Sequence, residues 1–216
     1  MSNTQSDFAD FLIENKVVEF GEFRLKSGRV SPYFFNFGKL SSARLLNKTA
    51  YFYARTILEN KISPDVIFGP AYKGIPLGVA TALSLQRDFK FEVNYTFNRK
   101  EEKIYGDGGV MVGSHLKGKK VLAVDDVITS GMTVDDTIKL ISAEGGTSAG
   151  YIVALDRQEK GIDGAGSALH SAMDRLDIKI YSITTVRHIL SCLKSLPTEQ
   201  DSIRKIADYL DRYGAE

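Results

Sequence analysis

Residues 121 to 133, VLAVDDVITSGMT, set the strongest constraint on what this chain can fold into. Four apolar residues, Val121 to Val124, predict a buried strand, and the two carboxylates that follow, Asp125 and Asp126, emerge at its end. In open α/β folds, ligands bind at such strand ends. The small and hydroxylated residues Thr129, Ser130, Gly131 and Thr133 then lead into a helical pattern at Val134, Ile138 and Ile141. Backbone N–H groups and hydroxyls converge at that helix N-terminus, a geometry suited to a phosphate. The stretch therefore describes a ligand with one anionic end and a polyhydroxyl middle, such as a phosphorylated sugar. The competing reading is a solvated acidic turn followed by an ordinary N-cap.

The rest of the chain repeats the same strand, loop and helix unit. Residues 6 to 15 predict an amphipathic helix capped by Ser6-Asp7, and 17 to 25 a strand with Gly21 at a turn or bulge. Between the breakers Gly28 and Pro32 and Gly38, the aromatic run Tyr33 to Phe37 reads as a short strand or a binding loop. Residues 42 to 60 form a helix closing at Asn60. Asp65 to Pro70 is a short buried strand, Ala71-Tyr72-Lys73-Gly74 its loop, and 75 to 86 the next helix. This second strand, glycine loop and helix can also hold phosphates, with Lys73 as a point charge. Phe91 to Phe97 alternates as a strand. Asn98 to Gly109 mixes charge with three glycines and reads as a mobile surface segment. Further on come a helix ending at Glu144-Gly145-Gly146, a strand from Gly150 to Leu155, a helix from Ala165 to Leu176 and a strand from Ile178 to Thr184. Two helices, Ile189 to Leu196 and Ile203 to Tyr213, are separated by Pro197.

Strands alternating with helices predict an α/β fold with a mostly parallel central sheet flanked by helices. At 216 residues this is one domain, with a small hood built from roughly 1–60 plus C-terminal elements over a core of roughly 61–185. A net charge of +1 argues against a nucleic-acid partner held by bulk charge. Cys192, the single cysteine, excludes an intramolecular disulfide and favours a reducing, cytoplasmic home. The polar and acidic start, MSNTQSDFADFLIENK, lacks the pattern of a secretory signal, and no apolar run approaches a membrane span. His115, His170 and His188 lack metal-ligand spacing.

Several surface features have a functional alternative to the plain one. The rings from Tyr33 to Phe37 serve either as core or as walls for a planar base, with Lys26 nearby to suit an acidic one. Arg99, Lys100 and Lys103, three cations within five positions, are either a solvated face or a clamp on a pyrophosphate, with glycine hinges to close it. Arg157, after the strand that ends at Leu155, makes either a surface salt bridge with Asp156 or Glu159 or a two-pronged bond to a ligand carboxylate.

VLAVDDVITSGMT resembles the ribose-phosphate signature of the type I phosphoribosyltransferases, which bind phosphoribosyl pyrophosphate (PRPP). KSGRVSPYFFNFG, GPAYKGIPL, NRKEEK with its following glycines, and ALDRQEKG resemble, in order and spacing, elements of the orotate phosphoribosyltransferases within that group. The likeness spans nearly the whole chain. It implies the type I phosphoribosyltransferase fold and transfer of a phosphoribosyl group to orotate, in pyrimidine biosynthesis, with Mg²⁺ held mainly through PRPP near Asp125 and Asp126. For PRPP it implies contacts from Lys26, Tyr72, Lys73, Arg99, Lys100, Lys103, Tyr105, Asp125, Asp126, Val127, Ile128, Thr129, Ser130, Gly131, Met132 and Thr133. For orotate it implies Lys26, Phe34, Phe35, Thr129 and Arg157. It further implies a homodimer in which Arg99 and Lys103 serve the partner's site while Lys100 serves its own. One position departs from the pattern: Tyr105 stands where many members carry histidine, and a phenol holds no charge at neutral pH. Two rivals remain at this point, a phosphoribosyltransferase for another base and a PRPP-sensing regulator without catalysis. Lys26, Phe34-Phe35 and Arg157 favour an acidic pyrimidine over other bases. An intact cationic segment from Arg99 to Gly109 favours turnover.

Overall fold

The computed structural model describes residues 3–25, 27–103, 109–128, 132–161, 166–194 and 200–215, with the backbone alone at 102, 103 and 132. Helix α1 (Thr4–Glu14) starts two residues before the expected cap. Asn3, not Ser6, accepts the Gln5 N–H, and the buried Thr4 hydroxyl donates to Glu59 at 2.6 Å. Strands β1 (Val18–Arg24) and β2 (Val30–Phe35) pair antiparallel as a separate two-stranded sheet. Their register slips between Phe20 and Phe23, so Gly21 does mark a bulge. Helix α2 (Ala43–Glu59) is capped by Ser42 and closes at Asn60, as predicted.

The main sheet comprises β3 (Val66–Gly69), β4 (Asn94–Lys103), β5 (Gly109–Gly113), β6 (Lys120–Val127), β7 (Thr147–Asp156) and β8 (Ile180–Thr185), in the order β5-β4-β3-β6-β7-β8. All pairs are parallel except β4 with β5, which form an antiparallel edge. Helices α3 (Gly74–Phe89), α4 (Met132–Ala143) and α5 (Ala168–Leu176) lie between its strands in sequence, and α6 (Val186–Leu193) and α7 (Gln200–Tyr213) follow β8. Alternation along the strands divides the apolar residues between two cores. Ile67, Leu122, Val124 and Ile152 face α1, α2, α3 and α6, while Val66, Phe68, Val121, Ala123, Tyr151 and Val153 face α4 and α5.

The segment 98–109 corrects the expectation of a surface loop. Its first half extends β4, and the unforeseen strand β5 pairs with it, Phe97 opposite Val112 and Lys103 opposite Gly109. This edge pair is held by backbone bonds and its side chains from Asn98 on are half-buried or exposed where described, so Lys and Glu are tolerated there and the apolar alternation that betrays a buried strand is missing. Residues 104–108, Tyr105 among them, lie outside the described residues. Helix α6 also begins three residues early, because Thr185 ends β8 and at once caps the helix through the His188 N–H.

The β1–β2 sheet packs with α7 over the C-terminal end of β7. Tyr33 meets Tyr209 edge-on with centroids 5.7 Å apart, and Glu159 forms an isolated bridge with Gly214. Arg29 reaches down from the same sheet to the carbonyls of Lys160 and Gly161, at 2.9 and 3.3 Å.

Candidate active site

The carboxylates of Asp125 and Asp126 do not project beyond their strand. Strand β6 continues through Val127 and buries both, at 8% and 6% exposure. Alternation turns them to opposite faces of the sheet, Asp125 toward the α4 layer and Asp126 toward the α3 layer. Asp125 Oδ1 accepts the Asp126 N–H at 2.9 Å and Oδ2 accepts the Tyr151 phenol at 3.1 Å. Burial, then the neighbouring Asp126 carboxylate, push Asp125 up to about 6, with the Asp126 N–H, Tyr151 and Lys73 pulling the other way. Asp126 Oδ1 accepts the Val127 N–H at 2.8 Å, and Oδ2 pairs with Lys73 Nζ at 2.6 Å.

Lys73 reaches Asp126 because α3 starts hard against β6. A Cβ on Gly74 would lie 2.5 Å from Pro70 Cδ and 2.9 Å from the Val124 carbonyl oxygen, so only glycine admits this approach. The loop before it contains a cis Ala71–Tyr72 peptide and the exposed Tyr72 ring. Asn98 Oδ1 accepts the Ala71 N–H at 2.9 Å and so ties the loop to β4. Lys100, two positions along and on the same side, sets its Nζ 4.6 Å from the Tyr72 ring centroid. Arg99 points the other way, with Nη1 on the carbonyls of Gly109 and Met111 at 3.0 and 3.4 Å. Lys103 has its backbone in β4; its side chain is outside the description.

On the hood side, β2 splits the expected aromatic pair. Phe35 and Tyr33 point inward and are buried, whereas Phe34 is 39% exposed and stacks on Phe23 with centroids 5.4 Å apart. A ligand against β2 therefore finds the Phe34 ring as a wall and Phe35 only through its backbone. Arg157 emerges one residue past β7, and the pairing of Val127 with Leu155 places it at the same sheet end as the two aspartates. The salt bridge with Glu159 forms, but not at the surface: the Arg157 side chain is 12% exposed and lies 4.5 Å from the Tyr33 ring centroid. Nε and Nη2 donate to Glu159 at 2.9 and 2.7 Å, and Nη2 also to Ser31 at 3.1 Å. None of these bonds uses Nη1. Glu159 further accepts the Tyr33 phenol at 2.9 Å, so one carboxylate joins the sheet end to the hood.

Val127 and Ile128 are half-buried, and Thr133 is exposed in the first turn of α4. Of the other expected contacts, Lys26, Tyr105, Thr129, Ser130 and Gly131 lie outside the described residues, as does the side chain of Met132. Asn98, Tyr53 and Tyr151 join the site without having been foreseen, and Glu159, foreseen only as a salt-bridge partner of Arg157, also accepts the Tyr33 phenol. Asn98 and Glu159 sat inside recognised motifs, so their position alone could have flagged them.

The donor set bears on a cation. Among the described residues no three acids, histidines or cysteines gather. Each oxygen of the Asp125 and Asp126 carboxylates already accepts one bond and keeps one lone pair free. A cation here would take one or two carboxylate oxygens and the remainder from a ligand, which is how Mg²⁺ is usually bound beside substrate phosphates.

Three comparisons bear on the chain as a whole. The phosphoribosyl transferase domain family matches residues 40–173. The chain is 43% identical over 216 residues to the orotate phosphoribosyltransferase of Nitrosococcus oceani, covering 100% of this chain and 98% of that one. It is 45% identical over 214 residues to that of Methylococcus capsulatus, covering 99% of each. It matches the crystal structure of orotate phosphoribosyltransferase from Francisella tularensis with a TM-score of 0.85 and 36% identity, over 97% of this chain and 100% of that one. The α/β sheet and its flanking helices are those of the type I phosphoribosyltransferase fold.

Proposed function

Since the chain belongs to the orotate phosphoribosyltransferases, enzymes of the phosphoribosyl transferase domain family, we propose that it converts orotate and PRPP into orotidine 5′-monophosphate and pyrophosphate, with Mg²⁺ required. The observation that carries the proposal is the meeting, at one sheet end, of the buried Asp125–Asp126 pair, the Lys73 loop and Arg157. Sugar hydroxyls, a pyrophosphate and a carboxylated base require those three groups.

In this mechanism Asp125 and Asp126 accept hydrogen bonds from the ribose 2′- and 3′-hydroxyls while positive charge develops at C1, and their negative charge favours that development. The turn from Thr129 to Thr133 holds the 5′-phosphate at the start of α4. This remote binding positions the reacting carbon. Phe34 stacks on the base, and Arg157 donates to the orotate carboxylate through Nη1. Lys73, on an exposed stem, moves from Asp126 to the departing pyrophosphate, where Lys100 joins it. Bound Mg²⁺ supplies further neutralisation of the pyrophosphate oxygens.

The enzyme is a homodimer in this proposal, and β4 alternation supports a division of labour between the subunits. Asn98 and Lys100 face their own 70–73 loop, while Arg99 points away from it, in the sense needed to serve a partner. Among the described residues no helix is long and apolar enough to cross a membrane. We place the reaction in the cytoplasm, where its substrates would be made.

A base panel tests the choice of acceptor. With PRPP and Mg²⁺ present, orotate is expected to be consumed at least about a hundredfold faster than uracil or hypoxanthine, since a site built around a carboxylate loses that contact with either. Equal use of uracil would remove Arg157 from its assigned role.

A further inference from the structure

Two tyrosines outside every recognised motif converge on Asp125. Tyr151, in β7, is fully buried in the α4 and α5 layer and donates its phenol to Asp125 Oδ2 at 3.1 Å. Tyr53, in α2, is fully buried in the opposite layer and donates to the backbone carbonyl of the same residue at 2.6 Å. The buried Thr137 side chain lies close enough to bear on the same phenol as Asp125. Thr137 lies in α4, the helix that opens at the expected phosphate turn.

We propose that Tyr151 and Tyr53 are positioning residues for sugar binding, gripping Asp125 by its carboxylate and its backbone from the two faces of the sheet. This rests on the reading of Asp125 as a ribose-hydroxyl acceptor. With the Asp126 N–H on Oδ1 and the phenol on Oδ2, rotation of the carboxylate about its last bond breaks a hydrogen bond in either sense. Its plane is thereby set before the ligand arrives, and each oxygen keeps one lone pair for a sugar hydroxyl. Tyr53 holds the backbone beneath, past Ala123, where β6 keeps its pairing with β7 but no longer pairs with β3.

The alternative is that the phenols merely satisfy themselves in the core. The two cases separate in the balance between substrates. Tyr151→Phe keeps the ring and removes the bond. PRPP affinity, measured by titration calorimetry with Mg²⁺, is expected to fall about five- to tenfold, the size of one ordinary hydrogen bond, since the phenol acts on the sugar only through Asp125. The KM for orotate at saturating PRPP is expected to stay within about twofold of wild type, as for a residue remote from the base. Tyr53→Phe is expected to show the same split. Unchanged PRPP affinity, or an equal loss for both substrates, overturns the proposal. Should Tyr151→Phe fail to fold, Tyr53→Phe carries the test alone through its bond to the Asp125 carbonyl, and an unchanged PRPP affinity overturns the proposal. If wild type itself does not bind PRPP, the underlying reading of the site falls; if wild type binds and the phenylalanine variants match it, only the positioning role falls.

Discussion

Asp125 illustrates how a single residue trades stability for chemistry. Its carboxylate is raised to about 6 chiefly by burial, with Asp126 adding to the effect. The folded state therefore holds this proton more tightly than the unfolded chain, whose ordinary value is near 4. Stability contributed by the group is present at low pH and is lost as pH rises from about 4 to about 6, after which it stays lost. Asp125→Asn removes the charge and keeps the shape. It is expected to be more stable than wild type at pH 8, by on the order of 1–3 kcal/mol, and to lose about half of that advantage at pH 5. Turnover at pH 8 should meanwhile drop at least about a hundredfold. Thermal melts at the two pH values with a parallel assay check both halves. A variant less stable than wild type at pH 8 would mean that the bonds from Tyr151 and the Asp126 N–H outweigh the cost of burial. The two carboxylates were legible in the chain because they follow four apolar residues. Their assignment to opposite faces was implicit in strand alternation and was missed by treating them as a strand's terminus. Tyr53 and Tyr151 were not legible: a phenol inside an apolar run looks the same whether its hydroxyl meets a carboxylate or a stray carbonyl.

At the scale of elements, the β4–β5 hairpin decides how the cationic segment is aimed. The pattern of charge and glycine identified the cations, but edge strands with no fully buried face lack the alternation that marks a buried one, so β5 and the second half of β4 were invisible. Elements with a buried face were far better defined, among them α2 with its Ser42 and Asn60 ends, β3 and β6. Asn98 is the hairpin's tie to the Lys73 loop, through the Ala71 N–H. Asn98→Ala leaves that N–H without its partner and frees the loop on the pyrophosphate side. The expected result is a rise of about three- to tenfold in the KM for PRPP, with secondary structure by circular dichroism unchanged, corresponding to one neutral hydrogen bond. An effect confined to the KM for orotate would place the 70–73 loop against the base instead.

At the scale of the whole molecule, the parallel sheet and its helical layers followed from the repeated strand and helix pattern, whereas the strand order β5-β4-β3-β6-β7-β8 had no local signature. The hood was harder to read for the same reason: its anchoring network of Arg29, Glu159, Arg157 and Tyr33 joins residues more than a hundred positions apart. Action of the hairpin across a dimer makes a specific demand on the assembly. Lys103→Ala and Asp125→Asn subunits, each nearly inactive alone, are expected to regain up to about a quarter of wild-type activity when unfolded together and refolded as mixed dimers, since chance pairing yields half heterodimers with one intact site each. Mixtures as inactive as their parents would confine each hairpin to its own subunit. The central claim is the transfer itself, and one measurement addresses it directly: the ultraviolet absorbance of orotate followed after adding the protein, PRPP and Mg²⁺. The account predicts a loss of absorbance that requires PRPP, stops when Mg²⁺ is chelated and matches the pyrophosphate released mole for mole. Absorbance that stays constant with all components present would contradict it.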